Sequence, residues 1–276
     1  MINKKSILLV DPEFDQNATS ACTLLVKASL DSFSYAIIHP ASKKLLLVYD
    51  QQECVDVARN MATALKEDQY LQLPFANIKI SVYTVNSIAI PNEIFDISTI
   101  NSYTRYFAEE SSANIYVQPH TSFGFKSIFT FRQFIEENLN ACLESAKRYD
   151  HLAPTLALNR TFSGNSLFLD FTAGSFQAVY TADQKLVFYN AFEIENSEEF
   201  NYYLLLICQQ LQVDQSLCNV YLSGIIHNED SNHNVISKYF EKISLNTPEY
   251  TGLDLSLLDD MPTQYYTNLL ALNLCE

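Results

Sequence analysis

The chain has 276 residues, 48% apolar and 13% aromatic, enough to bury one large core or two moderate ones. Seventeen basic and 32 acidic residues leave a formal charge of −15, which disfavours nucleic acid, an anionic membrane surface and polyphosphate as partners. Basic residues occur as isolated pairs (Lys4–Lys5, Lys43–Lys44, Lys147–Arg148) and not as a patch.

The opening "MINKKSILLV" has a basic pair but only a short apolar run before Asp11, so it is not a secretory signal. The longest uncharged stretch, around "YYLLLIC", is too short to span a bilayer. A cytoplasmic protein without membrane insertion is expected. Cysteines 22, 54, 142, 208, 218 and 275 never fall at the spacing of metal or disulfide pairs, which points to buried thiols.

Residues 1–21 are mostly polar and read as an N-terminal extension or partly ordered arm. "TLLVKASLDSFSYAIIHPASKKLLLVYD" (23–50) follows with three strand-like runs, turning at Leu30–Ser32 and Pro40–Ser42. Val55, Ala58, Ala62 and Leu65 then fall at helical spacing. "NIKISVYTVNSIAIP" (77–91) supplies one or two strands, and "ANIYVQP" (113–119) another, with "FKSIF" (125–129) as its partner. A helix is predicted over "TFRQFIEENLNACLESAKRY", with Thr130 and Gln133 at capping-box spacing. Its apolar stripe runs through Phe131, Phe134, Ile135, Leu139, Cys142, Leu143 and Ala146. "DHLAPTLALNRTFSGNS" reads as the boundary between a first lobe (22–160) and a second (161–276).

"SLFLDFTAGSFQAVYTADQKLVFYNAFEI" (166–194) repeats the pattern of three strands and two turns. A helix follows, capped at Asn196 with Glu199 and striped by Phe200, Tyr203, Leu204, Ile207 and Leu211. "NVYLSGII" (219–226) is a buried strand entering a turn, "HNVISKYFEKI" a further helix, and "YYTNLLALNLCE" a last helix or strand. "LLVKASLDSFSYAII" and "LFLDFTAGSFQAVYT" superpose without a gap, bringing Ser32–Phe33 onto Ser175–Phe176. An internal duplication of strand–strand–strand–helix is the expected architecture: an α/β, mixed α+β, fold of two sheets flanked by helices.

This duplicated unit, with "ASLDSFSYAI", "LFLDFTAGSFQAVY", the late "VYLSG" and the terminal "NLLALNLCE", resembles the actin-like ATPase superfamily. That superfamily contains actin, sugar kinases, heat-shock chaperones and the pilus-assembly and cell-division actin homologues. More narrowly, the chain resembles a bacterial family of unknown function with an actin-like ATPase fold. The resemblance spans about residues 23 to 276. It implies two lobes on duplicated ribonuclease-H-like mixed sheets, with a cleft between them and magnesium–ATP as the cofactor to be tested for.

The motifs that serve nucleotide in the superfamily are incomplete here. The first hairpin should carry an aspartate and a glycine toward phosphate and magnesium, but this chain has Lys27, Ala28 and Ser29. Lysine could meet a phosphate but cannot hold a hydrated metal. "DFTAGS" keeps Asp170 and Gly174 and has Thr172 where glycine is usual. It reads either as a phosphate loop or as a strand with its aspartate bonded at the lobe interface. Ser223 and Gly224 close the third motif, but Ile225 and Ile226 crowd the place where adenosine would lie.

"HNEDSNHN" groups His227, Glu229, Asp230 and His233 as metal-ligand types or as an ordinary polar loop, and no metal is expected. His120 and Ser122 do not make a nucleophile set, and no catalytic residue is assigned. Any nucleotide would use Asp170, Thr172, Gly174, Ser223 and Gly224. The expectation is a non-catalytic scaffold or protein-interaction module, a pseudo-ATPase whose partner is another protein. The alternative is a divergent ATP-binding protein or ATPase using the inter-lobe cleft, with a sugar- or acetate-type kinase behind it.

Overall fold

The computed structural model describes residues 6–107, 112–160, 162 and 164–276. Runs rich in β-branched and aromatic residues form the first strands: β1 (Ser6–Val10), β2 (Thr23–Ala28), β3 (Phe33–His39) and β4 (Lys44–Gln51). Helix α1 (Val57–Glu67) follows, its first turn capped by the Asp56 carboxylate, which accepts from the Arg59 N–H at 3.0 Å. Strands β5 (Asn77–Val82) and β6 (Ser87–Pro91), the short α2 (Ile100–Thr104), β7 (Tyr116–His120), β8 (Phe125–Phe129), α3 (Gln133–Cys142), β9 (Lys147–Asp150) and α4 (Ala153–Asn159) complete the first half. The second half runs β10 (Ser166–Phe171), β11 (Ser175–Ala182), β12 (Lys185–Glu193), α5 (Ser197–Leu211), β13 (Asn219–Gly224), α6 (Ser231–Ser237), β14 (Lys242–Leu245) and α7 (Thr267–Ala271).

The large sheets have matching orders, β1-β4-β3-β2-β5-β9 and β12-β11-β10-β13-β14. In each, an antiparallel three-strand meander leads through a helix to two parallel strands. A third sheet, β6-β8-β7, is inserted between β5 and β9.

The first sheet is buried on both faces, which is why its strands read as nearly continuous apolar runs. Leu24, Val26, Phe33, Tyr35 and Ile37 point to one side, against Met61 and Leu65 of α1 and Leu139 of α3. Leu25, Ala36, Ile38, Leu45 and Val48 point to the other, against α4 and the C-terminal segment. Helix α5 covers the second sheet with Phe200, Leu204, Ile207 and Cys208. Its cap at Asn196 accepts from the N–H groups of Glu198 and Glu199, as the spacing predicts, and the Glu199 carboxylate accepts from the N–H of Glu195.

Several expectations need correction. Ser6–Val10, read as part of a polar extension, pairs with β4 from Ser6↔Gln51 to Val10↔Leu47. So short a strand takes its stability from a ladder already built elsewhere. Residues 1–5, and residues 161 and 163 at the expected lobe boundary, lie outside the described residues. The long helix expected from Thr130 is shorter: α3 starts after Arg132, and "KRYD" is β9. Thr130 is no cap, and its N–H donates to the Asn86 carbonyl. Phe134 and Val55, both placed on helical stripes, are exposed. The expected linker contains α4, where Pro154 sits in the first turn and costs no helical hydrogen bond. The chain after β14 reaches across to the first sheet, where Leu258, Leu269, Leu270, Leu272 and Cys275 pack, while Gln264 Nε2 donates to the Ile226 carbonyl at 2.9 Å and the Thr267 hydroxyl to the Asn246 carbonyl at 2.6 Å.

Candidate functional site

The β2–β3 and β10–β11 turns face each other between the lobes, and they have the same internal construction. In the first, the Ser29 N–H donates to the Ser32 carbonyl (2.9 Å), the two hydroxyls are 2.6 Å apart, and the Ser32 N–H donates to the Ser29 hydroxyl (3.0 Å). In the second, Thr172 and Ser175 repeat these contacts at 2.9, 2.6 and 3.1 Å. A hydroxyl at each end of a four-residue turn supplies both an acceptor for the turn's N–H and a donor that points outward.

Across the seam, Lys27 Nζ donates to Asp170 Oδ2 at 2.6 Å, with side-chain exposures of only 14% and 8%. Ser223 at the end of β13 donates its hydroxyl to Asp170 Oδ1 at 2.8 Å, so both carboxylate oxygens are engaged. The second contact comes from Asp31, at the tip of the first turn. Its Oδ2 accepts the Gly174 N–H at 2.7 Å, and its Oδ1 lies 2.6 Å from the Thr172 hydroxyl and 2.9 Å from that of Ser175. One turn thus grips the other's carboxylate with the groups that a loop of this kind would offer an anion.

Gln52 extends the seam, accepting from the Ala173 N–H at 3.3 Å and donating to both oxygens of Asp50 at 2.9 and 3.1 Å. Burial pushes the Asp50 carboxyl up to about 6; the Gln52 hydrogen bond and the Lys27 charge pull it back in part, and Asp31 adds to the rise. His151 is also buried at the seam, and burial holds its imidazole below the ordinary value despite the neighbouring Asp150 carboxylate.

The residues expected to serve a nucleotide come together here, in roles set by the fold. Asp170, Thr172 and Gly174 make the cross-lobe contacts, and Ser223 supports Asp170. Gly224 is required by a close approach: at φ +78° a Cβ would lie 1.9 Å from the Phe171 carbonyl oxygen. The Ile225 N–H donates to that carbonyl at 2.8 Å, and Ile226 is fully buried in the second core. Asp31 escaped the sequence reading; the signal that would have found it is its superposition on Gly174.

The voids at the seam include two of about 20 Å³ each. One is lined by Lys27, His151, Asp170 and Gln177, the other by Ser34, Asp50, Gly224 and Tyr266. Each has room for about one water, against the roughly 300 Å³ or more of a small-molecule site. In this arrangement the cleft does not fit a magnesium-bound nucleotide, because an ammonium stands where a hydrated cation needs a carboxylate and Asp31 fills the second turn. A larger cleft of about 510 Å³ opens outside the seam, between the β2–β3 turn and the first turns of α1 and α3.

Elsewhere, Asp230 accepts from the N–H groups of His227 and His233 as the cap of α6, which accounts for that polar loop. Among the described residues, no cluster of three or more histidine, cysteine or acidic side chains could hold a metal ion. The six cysteines are free thiols, Cys142 half-buried and the rest buried. No helix of the described residues is long and apolar enough to cross a membrane.

Two sheets of matching order, facing each other through their first hairpins, define an actin-like ATPase fold. The chain belongs to the family DUF3822, described as a protein of unknown function, which it matches over residues 11–243. It is similar in structure to a Bacteroides thetaiotaomicron protein with an actin-like ATPase fold and unknown function. The two share 17% identity, with a TM-score of 0.74 over 95% of this chain and 99% of the other. It is also similar to a chain of the PilM–PilN type IV pilus biogenesis complex (11% identity, 91% and 97% covered, TM-score 0.54). The ethanolamine utilization protein EutJ from Carboxydothermus hydrogenoformans is a further structural relative (8% identity, 97% and 93% covered, TM-score 0.51). No curated protein matches the chain by sequence.

Proposed function

We propose that this protein is a non-catalytic scaffold of the actin-like fold that works in the cytoplasm by binding a partner protein. We also propose that its two lobes repeat one structural unit. The observation that carries the reading is the closed seam, in which Lys27 pairs with Asp170 at 2.6 Å and Asp31 occupies the turn of the other lobe. A cleft filled by its own side chains leaves the outer surfaces as the place for function. The acidic charge of −15 favours a protein over a nucleic acid as partner, and a structural relative occurs in a complex named for two proteins, PilM and PilN.

A thermal scan with millimolar magnesium–ATP tests the reading, because a ligand that binds only the native state must stabilise it, by about 2.7 kcal/mol at a hundredfold excess over Kd. The melting temperature is expected not to move. A rise that disappears in Asp170→Ala would replace the scaffold with an ATP-binding protein whose lobes part to admit the ligand. Affinity purification of the intact protein is expected to return a stoichiometric protein partner.

A further inference from the structure

We propose that Asp31 is a latch: its carboxylate holds the β2–β3 turn in the β10–β11 turn, and without it the polar mouth of the seam opens while the two large sheets stay joined at α4. The inference rests on the closed seam that carries the scaffold reading, and it adds what keeps that seam shut. Closing the mouth takes four ionisable groups out of water. Lys27 is nearly buried, and Asp50, Asp170 and His151 are buried. Removing charge from water opposes closure unless pairing offsets it. Two of the four groups show that opposition. Burial pushes the Asp50 carboxyl up to about 6, and burial pushes the His151 imidazole down. His151 Nδ1 is moreover buried without a hydrogen-bond partner, which adds to the cost of closing.

Asp31 supplies contacts that offset this cost. It is half-buried, so its carboxylate gives up only part of its water. It accepts the Gly174 N–H at 2.7 Å and lies 2.6 and 2.9 Å from the Thr172 and Ser175 hydroxyls. Hydrogen bonds to an ionised acceptor are roughly twice as strong as neutral ones. The neighbouring contact, from the Ala173 N–H to Gln52 Oε1, is longer at 3.3 Å and joins neutral groups. Elsewhere in the same contact an apolar cluster joins the two sheets. Phe168 and Val179 of the second sheet pack with Phe125 of β8 and with Leu152 and Leu156 of α4. Ala153 and Ala157 of α4 in turn pack on the first sheet. Apolar surface of this kind gains nothing from exposure to water, so opening is confined to the polar mouth and leaves the rest of the fold in place.

Chemical labelling of the full chain without ligand tests the latch. Lysines are acetylated with acetic anhydride and histidines carbethoxylated with diethylpyrocarbonate, and initial rates are read site by site by mass spectrometry. In Asp31→Ala the rates at Lys27 and His151 are expected to rise by about tenfold or more, the scale of a lost charged hydrogen bond. His120, buried in β7 and not among the residues of the seam, should keep its wild-type rate. Asp31→Asn retains an acceptor without the charge and should fall between; it carries the same test if Asp31→Ala does not fold. Adding Lys27→Met and Asp170→Leu to Asp31→Ala takes the ion pair out of the mouth and should bring the His151 rate back down.

Wild-type rates at Lys27 and His151 in folded Asp31→Ala overturn the latch. A rise at His120 as large as that at His151 overturns it too, because the variant would then have loosened the whole fold and not the mouth. The scaffold reading fails on a different observation, a melting temperature of the wild type that rises with magnesium–ATP. The labelling rates are read on the ligand-free protein, so either can fail without the other.

Discussion

Asp170 and Lys27 each have little contact with water, and each relies on the other. A buried pair of this kind adds little over a well-packed apolar pair, yet removing one partner strands a charge, typically costing about 3–5 kcal/mol. Lys27→Met should therefore lower the urea midpoint by that equivalent, while the double change Lys27→Met/Asp170→Leu should recover most of the loss. A double variant no better than the single would mean that the pair is not what makes Lys27 necessary.

Asp50 provides a pH-dependent test at the same seam. Its carboxyl is raised to about 6 in the folded protein, above its ordinary value of 3.8, so the folded state binds the proton more tightly than the unfolded chain. The stability this contributes is complete below pH 3.8 and lost as pH rises through about 6. Asp50→Asn should escape that loss. It should match wild type near pH 3.5 and exceed it by on the order of 1–3 kcal/mol at pH 7.5. Urea titrations at the two pH values measure the gap, and a gap that is the same at both would remove Asp50 as the cause. Lys27 and Asp170 were both visible in the sequence as matched positions of two superposable segments. Their pairing was not, because a superposition says which positions correspond and not that the two units face each other.

At the scale of elements, the two hairpins meet through corresponding positions. Lys27 with Asp170, and Asp31 with Gly174, each join residues 143 apart, the offset of the gapless superposition. Two like units placed face to face bring like positions together, so a lysine in one and an aspartate in the other can pair, as can a carboxylate and a bare backbone N–H. The glycines of these elements differ in what they permit. Gly224→Ala would drive a Cβ into the Phe171 carbonyl at φ +78° and should cost on the order of 3 kcal/mol or more. Gly174→Ala, whose Cβ would stand 3.2 Å from Asp31 Oδ2 without a positive φ, should cost less. Melting temperatures rank the two, and the reverse order would contradict this geometry.

Helices were legible where their caps were local. Asn196 starts α5 as its spacing predicts, because cap and first turn are neighbours in the chain. Helix α3 is shorter than expected because Lys147–Tyr149, read as the end of the helix, completes the first sheet beside β5. A parallel neighbour far away in sequence outweighs local propensity.

Across the whole molecule, the chain ends by returning to the lobe it began. Lys79 of β5 donates to the Asn273 carbonyl at 3.0 Å, and Leu258 to Cys275 close the outer face of the first sheet. The outer face of the first sheet is therefore covered by residues that follow the second sheet in the chain. The amino-acid sequence by itself determined the strand meanders, the capped helix α5 and the acidic, glycine-poor composition. These follow from periodicity, caps and composition, which act over a few residues or over none. Only the tertiary structure decided that the C-terminal segment covers the first sheet, that "SILLV" becomes an edge strand, and that Asp31 and Lys27 close the cleft against Asp170 and Gly174. Each of these depends on a contact between distant segments, and its free energy exists only once the surfaces it joins have formed.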